Sequence, residues 1–203
     1  MDKFDAQPLQ TRMLIIGYVW PEPRSSAASG HMMQLIECFL EQGWQITFAS
    51  PATEGEHKAD LLALGIEEVS IELNSSSFDG FVSELQPDIV LFDQFMIEEQ
   101  FGWRVEKHCP NALRILETSD LQSLRNTRHS QLKRYLNESA QPDDLNNFFE
   151  SSEQTIVAEM ATGDLAQREV AALFRSDLSL MTSDVEMQLL SSQFAVPEAL
   201  LHW

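Results

Sequence analysis

Between Met13 and Leu116 the chain alternates short apolar runs of strand length with stripes of helical period, five strands in succession. Met13-Leu-Ile-Ile-Gly-Tyr-Val19 is a continuous apolar run, the pattern of a strand covered on both faces in a parallel sheet. From His31 onward, Met32, Leu35, Ile36, Phe39 and Leu40 fall on one helical face, and Gly43 supplies a stop. Trp44 to Ala49 predicts the second strand. The rhythm continues with a short helix at Ala59 to Leu64, a strand at Glu68 to Leu73 and a helix at Phe78 to Leu85. A strand at Ile89 to Phe92, a helix at Ile97 to His108 and a strand at Leu113 to Leu116 complete it. Such an order predicts a doubly wound, mainly parallel α/β sheet.

After Glu117 sixty residues, 118–177, pass before the next strand-like run, Leu178 to Met181. A structureless loop of that length is rare in a compact domain, so the stretch is expected to be helical. The pattern predicts a helix near Leu121 to Leu136, an acidic loop near Asn137 to Asn147 and one further helix from about Ser152 to Arg175. Ser183-Asp-Val-Glu186 has the capping-box spacing, in which serine and glutamate satisfy each other's backbone donors, and opens a helix to about Gln193. Beyond it the chain is expected to trail off without another complete unit. The expected organisation is a tail at 1–12 and one domain at 13–203, with a helical insertion at about 121–175.

Thirteen Lys and Arg stand against thirty-two Asp and Glu among 203 residues, a formal charge of -19. Such a surface repels phosphate backbones, so no nucleic-acid partner is expected, and any membrane contact is expected to be peripheral. The two cysteines, Cys38 and Cys109, have no metal-ligand spacing and suit a reducing, cytoplasmic compartment, with Cys38 expected beside the buried stripe. GxGxxG, GxxxxGK[ST], GxSxG and HExxH motifs are all absent from the sequence. No metal and no cofactor are expected.

Ligands of open α/β sheets bind beyond the carboxyl ends of the strands where strand order reverses, here between the first and fourth strands. Three loops reach that edge. The first holds Ser25, Ser26, Ser29 and Gly30 before a helix N-terminus, where free N–H groups attract an anion; alternatively Ser29 only caps the helix. The second carries Asp93, either a hydroxyl-orienting or basic group or a turn former. The third carries Glu117 and Asp120, two close carboxylates, unless Ser119 or Asp120 serves as a helix cap. Arg125 and Arg128 share the face of the next helix, as an anion clamp needs, or balance the acidic loop that follows. His31 lies at the mouth of the first loop without a second metal ligand, and no histidine is given a catalytic role.

The order of these motifs carries a resemblance. Trp20-Pro-Glu-Pro-Arg-Ser-Ser-Ala-Ala-Ser-Gly30, Gln86-Pro-Asp-Ile-Val-Leu-Phe-Asp93 and Leu116-Glu-Thr-Ser-Asp-Leu-Gln-Ser-Leu-Arg125 together resemble the N-terminal, acceptor-side domain of GT-B glycosyltransferases of the family 4 type. Asp184-Val-Glu-Met-Gln-Leu-Leu190 followed by Val196-Pro197 is similar to that family's last helix before its interdomain linker. The likeness runs from about Met13 to the end. It implies a Rossmann-like domain that forms half of a two-domain cleft, with Ser25, Ser26, Ser29 and Gly30 on the side of the donor diphosphate. Asp93, Glu117, Asp120 and Gln122 would meet the acceptor, and Arg125 and Arg128 would contact an anion. The implied partners are a nucleotide-sugar and a glycan or lipid-linked acceptor, with the nucleotide-sugar pocket on a second domain.

Two departures from the family pattern stand out. Ala28-Ser29-Gly30 occupies the place of a Gly-Gly pair, which hinders close backbone approach to a phosphate. Asp120-Leu121-Gln122 replaces Asp-x-His, and an amide can hydrogen-bond a sugar but cannot take its proton. No catalytic residue is assigned, and the isolated chain is expected not to turn over. The alternatives are a non-catalytic Rossmann-like interaction module that docks through its helical insertion and, more distantly, half of a sugar-nucleotide epimerase.

Overall fold

The computed structural model of the chain describes residues 10–138 and 145–203. The chain divides into two compact units, Met1–Glu117 and Thr118–Trp203. In the first, the elements follow one another as β1 (Arg12–Ile16), α1 (Ala27–Glu41), β2 (Gln45–Ser50), β3 (Glu67–Ser70), α2 (Ser77–Leu85), β4 (Ile89–Asp93), α3 (Phe95–His108) and β5 (Leu113–Thr118). Only a single 3-10 turn, Leu62–Leu64, stands where a short helix was expected, because Gly65 ends it in the left-handed region at φ 78°. The strands pair in parallel in the order β3-β2-β1-β4-β5, which puts the reversal between β1 and β4 as expected.

The apolar runs are buried as a doubly covered sheet requires. Leu14, Ile15 and Ile16 of β1, Phe48 of β2 and Val90, Leu91 and Phe92 of β4 are fully enclosed. Each such side chain contributes about 1.5–3 kcal/mol of transfer free energy. From α1, Met32 and Ile36 enter the core, while α2 and α3 bring Phe78 and Phe101 together at 4.6 Å between ring centres. The first strand ends sooner than its apolar run. A Cβ on Gly17 would overlap the Phe48 ring and lie 2.8 Å from Val19 O, so the chain turns there with glycine, and Tyr18 and Val19 come out exposed.

The second unit contains α4 (Gln122–Glu138), α5 (Leu145–Ala161), α6 (Asp164–Arg175), β6 (Leu178–Met181), α7 (Asp184–Phe194) and β7 (Leu201–His202), the last two strands pairing in parallel. The acidic loop expected near Asn137 to Asn147 falls largely outside the described residues. The single helix expected from Ser152 to Arg175 is two, since the chain breaks at Gly163, whose N–H closes on Met160 O at 3.0 Å while Thr162 Oγ1 donates to Glu159 O. A seventh strand follows α7 where the sequence promised only a trailing end. Seven parallel strands with helices between them make this a doubly wound, Rossmann-like α/β protein. No helix among the described residues is long and apolar enough to cross a membrane.

Cys38 is exposed on α1, not packed beside the stripe, because its position lies outside the arc that buries Met32 and Ile36. Cys109 is buried, donates to Val82 O at 3.3 Å, and has its thiol pKa pushed up by burial. A native-state thiol titration should therefore modify one cysteine quickly, with Cys109 reacting only after denaturant is added. Rapid modification of both would contradict this burial.

Candidate ligand site at the carboxyl edge of the sheet

In the first unit Asp93 and Glu117 close β4 and β5 in register with each other. Residues paired across parallel strands point to the same face, so the two carboxyl groups meet, and their side chains hydrogen-bond. A hydrogen bond between two carboxyls needs a proton on one of them. Burial pushes the Asp93 pKa from its ordinary 3.8 up to about 6, against the opposing effects of the Tyr18 N–H, which donates to Oδ2 at 3.1 Å, and of Glu117. Glu117 is only 1% exposed. His31, on the second turn of α1, places Nε2 3.6 Å from Glu117 Oε1. The second and third loops are thus joined to the first through an imidazole that the sequence reading had set aside.

The residue after Asp93 is strained. Gln94 has φ 73° and ψ 155°, a region that L side chains avoid, while its N–H donates to Glu117 O at 3.0 Å. Strain at a ligand-binding edge is a recurrent arrangement, and it sets a measurable expectation. Gln94→Gly should stabilise the protein by about 1 kcal/mol, seen as a higher denaturation midpoint. A destabilising result would show that the Gln94 side chain outweighs its backbone strain.

Around the first loop, Trp20 is buried, with Nε1 donating to Ala52 O at 2.8 Å and Lys58 Nζ lying 4.7 Å from its ring centre. This anchor sets the path of the chain into α1. Ser26, not Ser29, is the N-cap, its side chain accepting from Ser29 N at 3.1 Å. Ser25 Oγ donates to Glu22 at 2.9 Å, and Gly30 N bonds Ser26 O within the helix. Of the four residues expected to face a diphosphate, Ser25, Ser26 and Ser29 therefore make local bonds at the helix start, and the Gly30 N–H closes the first turn.

Asp120, Gln122, Arg125 and Arg128 lie in the second unit. Asp120 precedes α4 and pairs with Arg125. At the start of that helix, backbone N–H groups go to two glutamates remote in sequence: Gln122 N to Glu169 Oε1 at 2.7 Å, Ser123 N to Glu169 Oε2 at 3.0 Å and, just before the helix, Leu121 N to Glu186 Oε2 at 3.2 Å. Burial raises the pKa of both glutamates, and the neighbouring Asp120 adds to the rise. Arg125 pairs with Asp120 at 3.2 Å, and Arg128 acts electrostatically on Glu186. The α4 N-terminus therefore already holds carboxylates, and the arginines balance them. The capping box of α7 is half formed: Ser183 Oγ accepts from Glu186 N at 3.3 Å, but the Glu186 carboxyl has gone to α4.

No family model matches the chain, and no curated protein sequence matches it. Among solved structures, sucrose-phosphate synthase from Thermosynechococcus elongatus aligns over 95% of this chain and 47% of its own, at 12% identity and a TM-score of 0.52. An alpha-glucosyltransferase in complex with UDP and a 13-mer DNA aligns over 57% and 33%, at 12% identity and 0.42. The Kef C-terminal domain of Shewanella denitrificans in its AMP-bound form aligns over 74% and 96%, at 10% identity and 0.37. The synthase match carries the comparison, and it shows a shared Rossmann-like α/β fold. The chain spans about half or less of the length of the two transferases.

Proposed function

We propose that this chain is the acceptor-binding, N-terminal half of a family 4-like GT-B glycosyltransferase, in which a sugar passes from a nucleotide-sugar donor to a glycan or lipid-linked acceptor. The observation that carries this reading is the hydrogen-bonded Asp93 and Glu117 pair at the ends of β4 and β5, flanked by His31 and the Tyr18 amide. Carboxyls gathered at the reversal point of a parallel sheet suit a ligand rich in hydroxyl donors. Asp93 and Glu117 would accept hydroxyls, with Asp120 and Gln122 completing the acceptor side. Ser25, Ser26, Ser29 and Gly30 would border the donor diphosphate. Arg125, once loosened from Asp120, and Arg128 would contact an anion. Donor binding would fall to a second domain.

The test is ligand-detected NMR on the purified 203-residue protein with mono- and disaccharides, alongside an assay for glucose transfer from UDP-glucose. Saccharide binding that weakens at least fivefold in an Asp93→Asn, Glu117→Gln double variant, without transfer, is the expected outcome. Transfer by this chain alone would overturn its assignment as a half-enzyme. Absence of any saccharide binding would favour a protein-interaction module, to which Leu136 of α4 and Phe174 of α6, both exposed, would offer apolar contacts.

A further inference from the structure

Resting on the acceptor-side reading above, we infer that the edge formed by Tyr18, Asp93, Glu117 and His31 selects a neutral saccharide over a phosphorylated or acidic one, with the Tyr18 ring as its stacking surface. Tyr18 belongs to the apolar run that builds β1, yet it leaves the sheet at Gly17 and is 46% exposed. Its backbone is fixed at the site, since its N–H donates to Asp93 Oδ2 at 3.1 Å. The residue that carries this exposed ring is thereby fixed one backbone hydrogen bond from a paired carboxyl.

A sugar ring presents C–H groups on its faces and hydroxyls around its rim. It is recognised when an apolar surface covers a face while acceptors take the rim hydroxyls, and tyrosine beside carboxyls offers both. The charges select further. Asp93, the partly exposed member of the pair, accepts from a hydroxyl, whereas a phosphate dianion has no proton to offer it and is repelled by whichever of Asp93 and Glu117 is ionised. Glu22 and Arg24 of the first loop cancel each other, and His31 is engaged with Glu117. Beside Asp93 and Glu117 the nearest fixed charges are carboxyls, which disfavour an anion at the Tyr18 side of the edge.

The experiment compares maltose, glucose and glucose 6-phosphate as ligands of the purified protein by saturation-transfer NMR and titration. Glucose and maltose should bind, with their ring C–H protons most strongly saturated, and glucose 6-phosphate should bind about tenfold more weakly. Tyr18→Ala should cost about tenfold in affinity and Tyr18→Phe little. Because the ring is about half exposed, Tyr18→Ala should lower the melting temperature by only a few degrees and leave the protein folded at the assay temperature, so that lost binding cannot be ascribed to misfolding. Equal or tighter binding of glucose 6-phosphate, or an unaltered affinity in Tyr18→Ala, would overturn the inference. If that binding still depends on Asp93 and Glu117, the acceptor-side reading survives; if no sugar binds at all, both fall.

Discussion

Replacing Glu169 with alanine should lower stability by about 3–5 kcal/mol, among the larger effects available at a single residue outside the apolar core. Its carboxylate accepts two backbone N–H groups at the start of α4, one of them from Ser123, which is buried. Charge-assisted bonds of this kind contribute about 1.5–3 kcal/mol each, and alanine would leave both amides without their acceptor. For a chain of this size the melting temperature should fall by roughly 6–20 °C. Glu169→Gln keeps one acceptor oxygen and should cost about half as much. Its cost should also grow as pH falls, because the native carboxyl, held above its ordinary pKa by burial, is stabilising in its protonated form. A loss under 1 kcal/mol for alanine, or unchanged amide exchange at Gln122 and Ser123, would sink this account of the cap.

Asp93→Asn should act in the opposite direction. The rise of the Asp93 pKa from 3.8 to about 6 means that the folded protein binds this proton more tightly than the unfolded chain does. The stabilisation it provides is complete below about pH 3.8 and is lost as pH rises through about 6. That difference corresponds to about 3 kcal/mol, as an upper figure for a half-buried group. Asparagine resembles the protonated form at every pH, keeps an oxygen for the Tyr18 amide and can donate to Glu117. The variant should match the native protein near pH 4 and exceed it in melting temperature by several degrees at pH 7.5, while binding saccharide less well. A pH-independent difference in melting temperature would contradict the burial of this carboxyl. A residue that costs stability at neutral pH is what a ligand-binding position looks like in thermodynamic terms.

The parts of this molecule that were readable in its sequence are those governed by local periodicity. The apolar runs of β1, β2, β4 and β5, the Met32 and Ile36 face of α1 and the Ser183 cap of α7 all lie where the pattern put them. So do Asp93 and Glu117, because strand ends in a parallel sheet converge on one edge. What the pattern missed depends on tertiary contact. Glu169 and Glu186 lie 46 and 65 residues from Ser123 and Leu121, whose amides they bind, and nothing local distinguishes them from other acidic residues of a chain of charge -19. His31 reads as one polar position on a helix until Glu117 is placed beside it. Tyr18 and Val19 read as strand because hydrophobicity cannot reveal that Phe48 fills the space where β1 would continue. The division at Gly163 was visible as a glycine in a helical run, but its neighbours Thr162 and Asp164 were outweighed by apolar spacing on either side. β7, two residues long, is too short to carry a period.

The carboxylates that reach α4 have a consequence for how the second unit opens. Glu169 comes from α6 and Glu186 from α7, and both hold the first turn of α4. Fraying of that turn would strand two glutamates from elsewhere in the chain, and loosening of α6 or α7 would strip α4 of its acceptors. Three helices distant in sequence are thus tied into one opening event. Their slowest-exchanging amides should respond to denaturant with a common slope, as a single cooperative unit.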